Sequence, residues 1–136
     1  MAVTYLLDTH VFLWLVSTPE RVPMRTHLAE PGTRLLVSSA SAMEVATKAR
    51  LGKLPEGVPL ANESAWNDAL RTMRADELPI STRHSLFAGS MDWEHKDPFD
   101  RILAAQAIIE EVPLITVDQA FIGLDGLMTL WRNMTS

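Results

Sequence analysis

The chain has 136 residues, of which 47% are hydrophobic, and a formal net charge of −5. This length predicts a single domain over residues 1–136, and the acidic balance argues against a protein that coats nucleic acid by non-specific electrostatics. The absence of cysteine excludes a disulfide framework and a thiolate metal site. No apolar run approaches the roughly 20 residues of a membrane span, and no secretion signal opens the chain. We therefore expect a cytoplasmic protein without a membrane partner.

In the first half of the chain, short apolar segments run directly into segments of helical periodicity. The apolar segments 3–8 (VTYLLD) and 34–39 (RLLVSS) predict buried strands. They are followed by predicted helices at 9–17 and 40–51, the second of which should end at Gly52. Each of these strands is therefore predicted to lead straight into a helix.

The second half repeats this alternation after a predicted loop at Pro55–Pro59. Asn62 is expected to cap a helix that runs to about residue 73. Three further strands are predicted at 77–80, 113–118 and 127–131, the last of them at a sheet edge. Two further helices are predicted at 82–91 and 98–111, with a polar loop at 92–97. Apolar strands that alternate with helices predict a mainly parallel sheet covered on both faces.

Four acidic residues fall near the predicted carboxyl ends of the strands, where ligands of parallel α/β sheets bind. Asp8 and Asp118 end strands, whereas Glu44 and Asp100 lie in the first turns of helices. Two like charges about 4 Å apart cost on the order of 4 kcal/mol at an effective dielectric near 20, so a cluster of carboxylates indicates a bound cation. Mg²⁺ prefers oxygen ligands and retains several waters, and a metal-activated water hydrolyses phosphodiesters. The pattern therefore predicts a metal-dependent hydrolytic site.

Each acid also has a purely structural interpretation. Asp8 and Asp118 would each cap the turn that follows, and Glu44 completes a Ser-x-x-Glu capping box. Asp97, directly before a proline, fits a helix N-cap. Asp100 would be the third helical residue, where an acid gains about 0.3–1 kcal/mol from the helix dipole. We interpret Asp97 as the cap and Asp100 as the functional acid.

Several neighbouring polar residues are candidates for supporting roles. Thr116 shares a strand face with the last acid and is either a partner of the site or an ordinary strand residue. Thr9 would support metal-bound waters or cap a helix. Lys48, Arg50 and Arg101 are candidate substrate-binding residues for phosphate, although solvated helix faces also explain them. The four histidines show no metal-ligand spacing and are predicted to lie mostly on the surface.

Four motifs, taken together, resemble the PIN-domain family and, within it, the VapC ribonuclease toxins of type II toxin–antitoxin systems. In chain order they are LLDTHVFLWL, SSASAMEVATKARLGKL, HKDPFDRILAAQA and LITVDQAF. The resemblance extends from Tyr5 to about Phe121. It implies a three-layer α/β/α sandwich and an endoribonuclease that depends on Mg²⁺ or Mn²⁺. It also implies an RNA substrate, a homodimer and a cognate VapB-like antitoxin.

The resemblance also implies a set of site residues. By position in the motifs, the catalytic and metal-binding acids are Asp8, Glu44, Asp100 and Asp118, with Thr116 as the accompanying hydroxyl. Met43 departs from the pattern, since close relatives often carry an aromatic residue there.

Two other classes of function remain open at this stage. One is a non-catalytic RNA- or protein-binding α/β domain in which the acids are helix caps. The other is a phosphatase or phospho-acceptor, which would need a second acid near Asp8, where Thr9 and His10 stand instead.

Overall fold

The computed structural model describes residues 3–54 and 60–132, so the loop predicted at Pro55–Pro59 lies outside the described residues. The centre of the fold is one sheet of five strands in the order β3-β2-β1-β4-β5. Every neighbouring pair is parallel, which confirms the predicted parallel sheet and its last edge strand. The strands are β1 (Val3–Leu7), β2 (Thr33–Ser38), β3 (Ala75–Leu78), β4 (Leu114–Ile115) and β5 (Thr129–Leu130).

Helices cover both faces of the sheet. They are α1 (Thr9–Ser17), α2 (Arg25–Leu28), α3 (Ser39–Arg50), α4 (Glu63–Met73), α5 (Thr82–Ser90) and α6 (Pro98–Glu110), with short 3₁₀ turns at Pro19–Arg21 and Gln119–Phe121. Within the described ranges, none of these helices has the length and apolar character that a membrane crossing requires.

Two separate cores show the three-layer arrangement. Because successive side chains of a strand point to opposite faces, β1 places Tyr5 and Leu7 in one core and Leu6 in the other. The first core also contains apolar residues of α1, α2, α3 and α4, for example Phe12, whose ring packs edge-on against Trp66 at 5.0 Å between centroids. The second core is formed mainly against α6. The predicted sandwich is therefore confirmed.

The predicted boundaries are accurate where a cap or a strand-to-helix junction defines them. Helix α1 has the predicted limits, and Asn62 caps α4 by accepting a hydrogen bond from the amide of Ala65 at 2.9 Å. The strand predicted at 77–80 is wrong by two residues. Arg74 adopts a left-handed conformation with φ 55°, which ends α4 and turns the chain into β3 at Ala75, opposite Leu35 of β2.

The strand predicted at 113–118 is shorter than expected. Only Leu114 and Ile115 form β4, and they pair with Leu6 and Leu7 of β1 and with the two residues of β5. Thr116 and Asp118 therefore follow the strand and lie beyond its carboxyl end. Helix α2 and both 3₁₀ turns have no counterpart among the predicted elements.

Removing the cap of α4 tests the contact that starts this helix. Asn62→Ala should lower the free energy of unfolding by about 1 kcal/mol, because the Ala65 amide loses its acceptor. Asn67→Ala, an exposed position inside the same helix, should be neutral or stabilising by a few tenths of a kcal/mol, since alanine favours helix interiors. Urea unfolding of both variants measures the difference, and equal effects would contradict the assigned cap.

Candidate active site

Acidic side chains from three elements lie close enough at the carboxyl end of the sheet to repel one another. Asp8 follows β1, Glu44 lies in the second turn of α3, and Asp100 lies in the first turn of α6. The charges of Glu44 and Asp8 raise the pKa of Asp8 and Asp100 respectively. The structure thus brings these three predicted acids to one rim.

Asp8 is held by a side chain from the other end of the sequence. It is only 4% exposed, and its Oδ2 accepts a hydrogen bond of 2.7 Å from the hydroxyl of Thr116. That hydroxyl oxygen in turn accepts from the amide of Asp118 at 3.0 Å. Asp8 occupies the N-cap position of α1 but makes no side-chain capping hydrogen bond. The capping interpretation therefore does not account for its carboxylate.

The pKa of Asp8 is raised, because burial penalises the charged carboxylate. The Thr116 hydrogen bond opposes this effect, as does the Thr9 amide, whereas the charge of Glu44 adds to it. A carboxylate in this state gains from any cation that enters the rim.

Asp97 takes the capping role that the sequence predicts for it, and Asp100 differs from it in burial and in contacts. Asp97 Oδ1 accepts hydrogen bonds from the amides of Phe99 at 2.9 Å and of Asp100 at 3.3 Å, so Asp97 caps α6. Asp100 takes no part in capping and is partly buried. Burial raises its pKa to about 6, and the charges of Asp97 and Asp8 add to this effect. A hydrogen bond and the charge of His95 act in the opposite direction.

Glu44 has one paired and one unpaired oxygen. Its Oε2 lies 3.2 Å from Nζ of Lys48, whereas Oε1 is buried and has no hydrogen-bond partner among the described residues. An unpaired buried acceptor costs about 1–3 kcal/mol, and a charged one costs more. This oxygen is therefore available to a cation or a water molecule.

The capping box that would pair Ser41 with Glu44 is wrong. Helix α3 begins at Ser39, two residues before Ser41, because the hydroxyl of Ser38 caps it by accepting from the amide of Ala40 at 3.0 Å. The hydroxyl of Ser41 instead lies 2.8 Å from that of Thr9. Thr9 is fully buried, and its contact with Ser41 joins α1 to α3.

Asp118, the fourth predicted acid, differs from the other three in being exposed. Its side chain is exposed, and its Oδ1 accepts a hydrogen bond of 2.9 Å from the amide of Ala120, which caps the 3₁₀ turn Gln119–Phe121. The side chain of Asp118 thus makes the capping contact that the structural interpretation predicts. Its connection to the site is indirect, through the hydrogen bond from its amide to Thr116.

Two histidines that were expected at the surface contact the site. His95 is partly buried, and its Nε2 lies 2.6 Å from Oδ2 of Asp100. His10 is exposed, and its Nε2 lies 3.0 Å from Nζ of Lys48. Neither has ligand-like spacing in the sequence. The one signal for His95 is its place in the polar loop that leads to Asp100.

Arg101 holds the loop that carries His95. Its guanidinium donates four hydrogen bonds of 2.7–2.9 Å to the backbone carbonyls of Ala88, Met91, Trp93 and His95. Four of the five N–H donors of an arginine are thus used within the protein. This geometry replaces the predicted substrate-binding role of Arg101 with a structural one.

The two other predicted substrate-binding residues differ in their surroundings. Lys48 lies beside Glu44 at the rim. Arg50 is exposed at the last residue of α3, and no ion pair of its side chain is found in residues 3–54 and 60–132. Only Lys48 is therefore in contact with the acids.

The donor chemistry of the rim fits a hard divalent cation. In the part of the chain that the structure describes, no group of three or more histidine, aspartate or glutamate side chains is arranged so that together they could hold a metal ion. Mg²⁺ does not need such a group, since it usually binds through one or two carboxylates and keeps several waters. Asp8 and Asp100, with raised pKa values, and the unpaired Oε1 of Glu44 are suitable ligands.

The raised pKa of Asp100 predicts a pH-dependent loss of stability. The carboxyl of Asp100 binds its proton more tightly in the folded protein than in the unfolded chain. Its contribution to the free energy of unfolding is therefore present below about pH 4 and is lost as the pH rises through 6. In EDTA at pH 8, Asp100→Asn should therefore raise the free energy of unfolding by about 1–2 kcal/mol. This value allows for the loss of the favourable interaction between the aspartate charge and the helix dipole, about 0.3–1 kcal/mol.

The matched control is Asp92→Asn, which changes an exposed aspartate of the preceding loop and should have no such effect. Urea unfolding at pH 8 and pH 4 measures both variants. A stabilisation by Asp100→Asn that is the same at both pH values would refute the electrostatic cause.

The four hydrogen bonds from Arg101 to the loop predict that lysine cannot replace this arginine. A lysine offers three donors at one nitrogen and cannot span four carbonyls, so Arg101→Lys should lower the free energy of unfolding by about 2 kcal/mol. Arg83→Lys, at an exposed position of α5, should change it by less than about 0.5 kcal/mol. Thermal and urea unfolding compare the two, and equal stability would show that the carbonyl contacts contribute nothing.

Comparison with solved structures finds the same fold in chains whose structures were solved as toxin–antitoxin complexes. VapBC2 from Rickettsia felis, solved with a DNA fragment from its promoter, superposes with a TM-score of 0.68 at 17% identity, over 93% of this chain and 97% of that one. A toxin–antitoxin complex from Klebsiella pneumoniae gives 0.65 at 21% identity, over 95% and 99%. DNA-bound VapBC from Salmonella typhimurium gives 0.67 at 20% identity, over 94% and 97%.

Sequence comparison gives the family. No curated protein matches the chain significantly. The family model of the PIN domain matches residues 5–127, a range that contains the three rim acids, Thr116 and Asp118. Because this match covers far more than half of the sequence, the chain belongs to the PIN-domain family.

Proposed function

We propose that the protein is a metal-dependent endoribonuclease and the toxin of a VapBC-type toxin–antitoxin pair. PIN proteins are nucleases that generally use divalent metals, and the solved structures of the same fold are VapBC and toxin–antitoxin complexes. The observation that carries the proposal is the rim itself. Asp8, Glu44 and Asp100 arrive from three elements, are largely removed from water and repel one another.

Mg²⁺, with Mn²⁺ as an alternative, would be held by Asp8 and Asp100, with Glu44 as a further ligand through water or as a proton acceptor. When bound, such a cation makes its water a better nucleophile and offsets charge on a phosphodiester. The protein supplies orientation. Thr116 fixes Oδ2 of Asp8, and His95 fixes Oδ2 of Asp100.

Glu44 is the residue best placed to accept a proton. Its Oε1 has no hydrogen-bond partner among the described residues, whereas Oε2 is occupied by Lys48. An attacking water that donates to Oε1 would satisfy this oxygen and lose its proton there. General-base assistance of this kind contributes about 10²–10⁴-fold to a rate.

Asp118 is proposed as the fourth acid on the strength of its motif position. Capping the 3₁₀ turn uses Oδ1, and a carboxylate has a second oxygen with lone pairs of its own. The residue therefore serves as a cap without losing its capacity to bind a cation or a metal-bound water.

The remaining parts of the proposal concern partners. The substrate is RNA, with Lys48 and Arg50 as candidate phosphate contacts. A cognate VapB-like antitoxin and a homodimeric state complete the toxin–antitoxin assignment, and the protein would act in the cytoplasm.

A non-catalytic binding domain is the second candidate. The capping contacts of Asp97 and Asp118 favour it, since both acids have structural roles. Asp8 and Glu44 do not fit this explanation, because neither makes a capping hydrogen bond and both are buried. Calorimetry separates the two candidates, since a domain with caps alone has no saturable site for Mn²⁺ that Asp100→Asn would abolish.

Cleavage of a single-stranded RNA tests the proposed activity. The purified protein should cleave this RNA in Mg²⁺, and cleavage should stop when EDTA removes the metal. The Asp8→Asn variant should cleave at least about 10²-fold more slowly, because this change removes the charge that holds the cation. Asp125→Asn, an exposed aspartate, should retain wild-type cleavage. Equal cleavage by the wild type in Mg²⁺, the wild type in EDTA and Asp8→Asn would show that the activity does not come from this site.

A further inference from the structure

We propose that Lys48 is a catalytic residue that exchanges anions: it pairs with Glu44 in the metal-free protein and binds a phosphate oxygen of the RNA during cleavage. The inference rests on the proposed function and adds to it a positive group supplied by the protein itself. In residues 3–54 and 60–132, Lys48 is the one lysine or arginine that forms an ion pair with Asp8, Glu44 or Asp100.

The position of Lys48 is set by two helices. It follows Glu44 by one turn of α3, with Nζ 3.2 Å from Oε2. Nζ also lies 3.0 Å from Nε2 of His10 in the first turn of α1. An ammonium only donates hydrogen bonds, so Nε2 of His10 is the acceptor. His10 is therefore a positioning residue that keeps the ammonium at the rim.

Lys48 is also accessible to a ligand from solvent. Its side chain is 26% exposed, whereas that of Glu44 is 11% exposed. Two of the three ammonium hydrogens are used by Glu44 and His10, and the third is free for another acceptor. The group thus stands between the buried acids and the surface from which an RNA strand would approach.

An ordinary helix pair does not explain this arrangement. Glutamate and lysine four residues apart commonly stabilise exposed helix faces. Here, however, the glutamate is buried, one of its oxygens has no partner, and the lysine is joined to a second helix. These features are those of a charged group placed beside a reaction site.

Lys48 changes its anionic partner because the metal ion competes with it for the carboxylate of Glu44. The ammonium and a divalent cation repel each other, and each is attracted by the same carboxylate. When Glu44 is used for the metal or for its water, Lys48 loses part of its counter-charge. A phosphate oxygen of the substrate is then the anion that replaces it, and a lysine ammonium binds phosphate as a point charge.

The test compares Lys48→Met with Lys53→Met, an exposed lysine just beyond the same helix. Calorimetry without RNA measures the dissociation constant for Mn²⁺, and cleavage of a single-stranded RNA measures kcat and KM. Lys48→Met should bind Mn²⁺ about 3–10-fold more tightly, because Glu44 is no longer paired, and should cleave about 10–100-fold more slowly. Lys53→Met should change neither quantity by more than about twofold.

The opposite directions of the two effects distinguish this role from others. A purely structural lysine would weaken both Mn²⁺ binding and cleavage, an inhibitory contact would increase both, and a surface pair would change neither. Each of these results overturns the proposal. His10→Phe, which removes the acceptor of the ammonium, should shift both quantities in the same directions as Lys48→Met but less, and Lys48→Arg should restore part of the cleavage.

The wild type separates this proposal from the one on which it rests. A wild type that neither binds Mn²⁺ nor cleaves RNA overturns the nuclease assignment, and the role of Lys48 falls with it. An active wild type with an equally active Lys48→Met variant overturns the role of Lys48 alone. Urea unfolding of each variant confirms that the comparison is made between folded proteins.

Discussion

The hydrogen bond from Thr116 to Asp8 joins residues 108 positions apart in the sequence, and the candidate site depends on it. It exists because β1 and β4 pair in parallel, with Leu7 beside Ile115, so the residues after each strand meet at the same edge. The amide of Asp8 donates to the carbonyl of Ile115 at 3.0 Å in the same ladder. The position of the acid is thus fixed by the backbone of the sheet, and its orientation by one hydroxyl.

Fixing three acids in this way has an electrostatic cost that the surroundings offset only in part. Lys48 pairs with Glu44 and His95 contacts Asp100, while Thr116 donates to Asp8. Burial nevertheless raises the pKa of both aspartates. The contacts within the protein do not compensate the negative charge of the rim completely, so the rim is suited to binding a cation from solvent. Structural ion pairs, by contrast, are normally satisfied within the protein.

The sequence predicted the fold well, and it predicted that Asp8, Glu44 and Asp100 lie near the carboxyl end of the sheet, because both depend on local patterns. Apolar strands that run into helices specify a parallel sheet, and the last residue of such a strand lies at the rim, as Asp8 does. The contacts of His95 and Arg101 were not predictable, since they depend on the path of the loop from Met91 to Asp97. No periodicity describes that path. A guanidinium that binds four carbonyls looks, in sequence, the same as one that would bind phosphate.

The aspartates show why residue type alone does not separate a cap from a ligand. Asp97 and Asp118 are exposed and accept hydrogen bonds from the amides two residues ahead. Asp8 occupies an equivalent position before α1, yet it is buried and its partner is the hydroxyl of Thr116, just beyond the end of β4. Burial decides the difference. An exposed carboxylate is stabilised well enough by water and an amide, whereas a buried one among like charges becomes more stable when a cation joins it. Burial among like charges therefore sets the rim acids apart from Asp97, which caps α6, and from Asp118, which caps the 3₁₀ turn Gln119–Phe121.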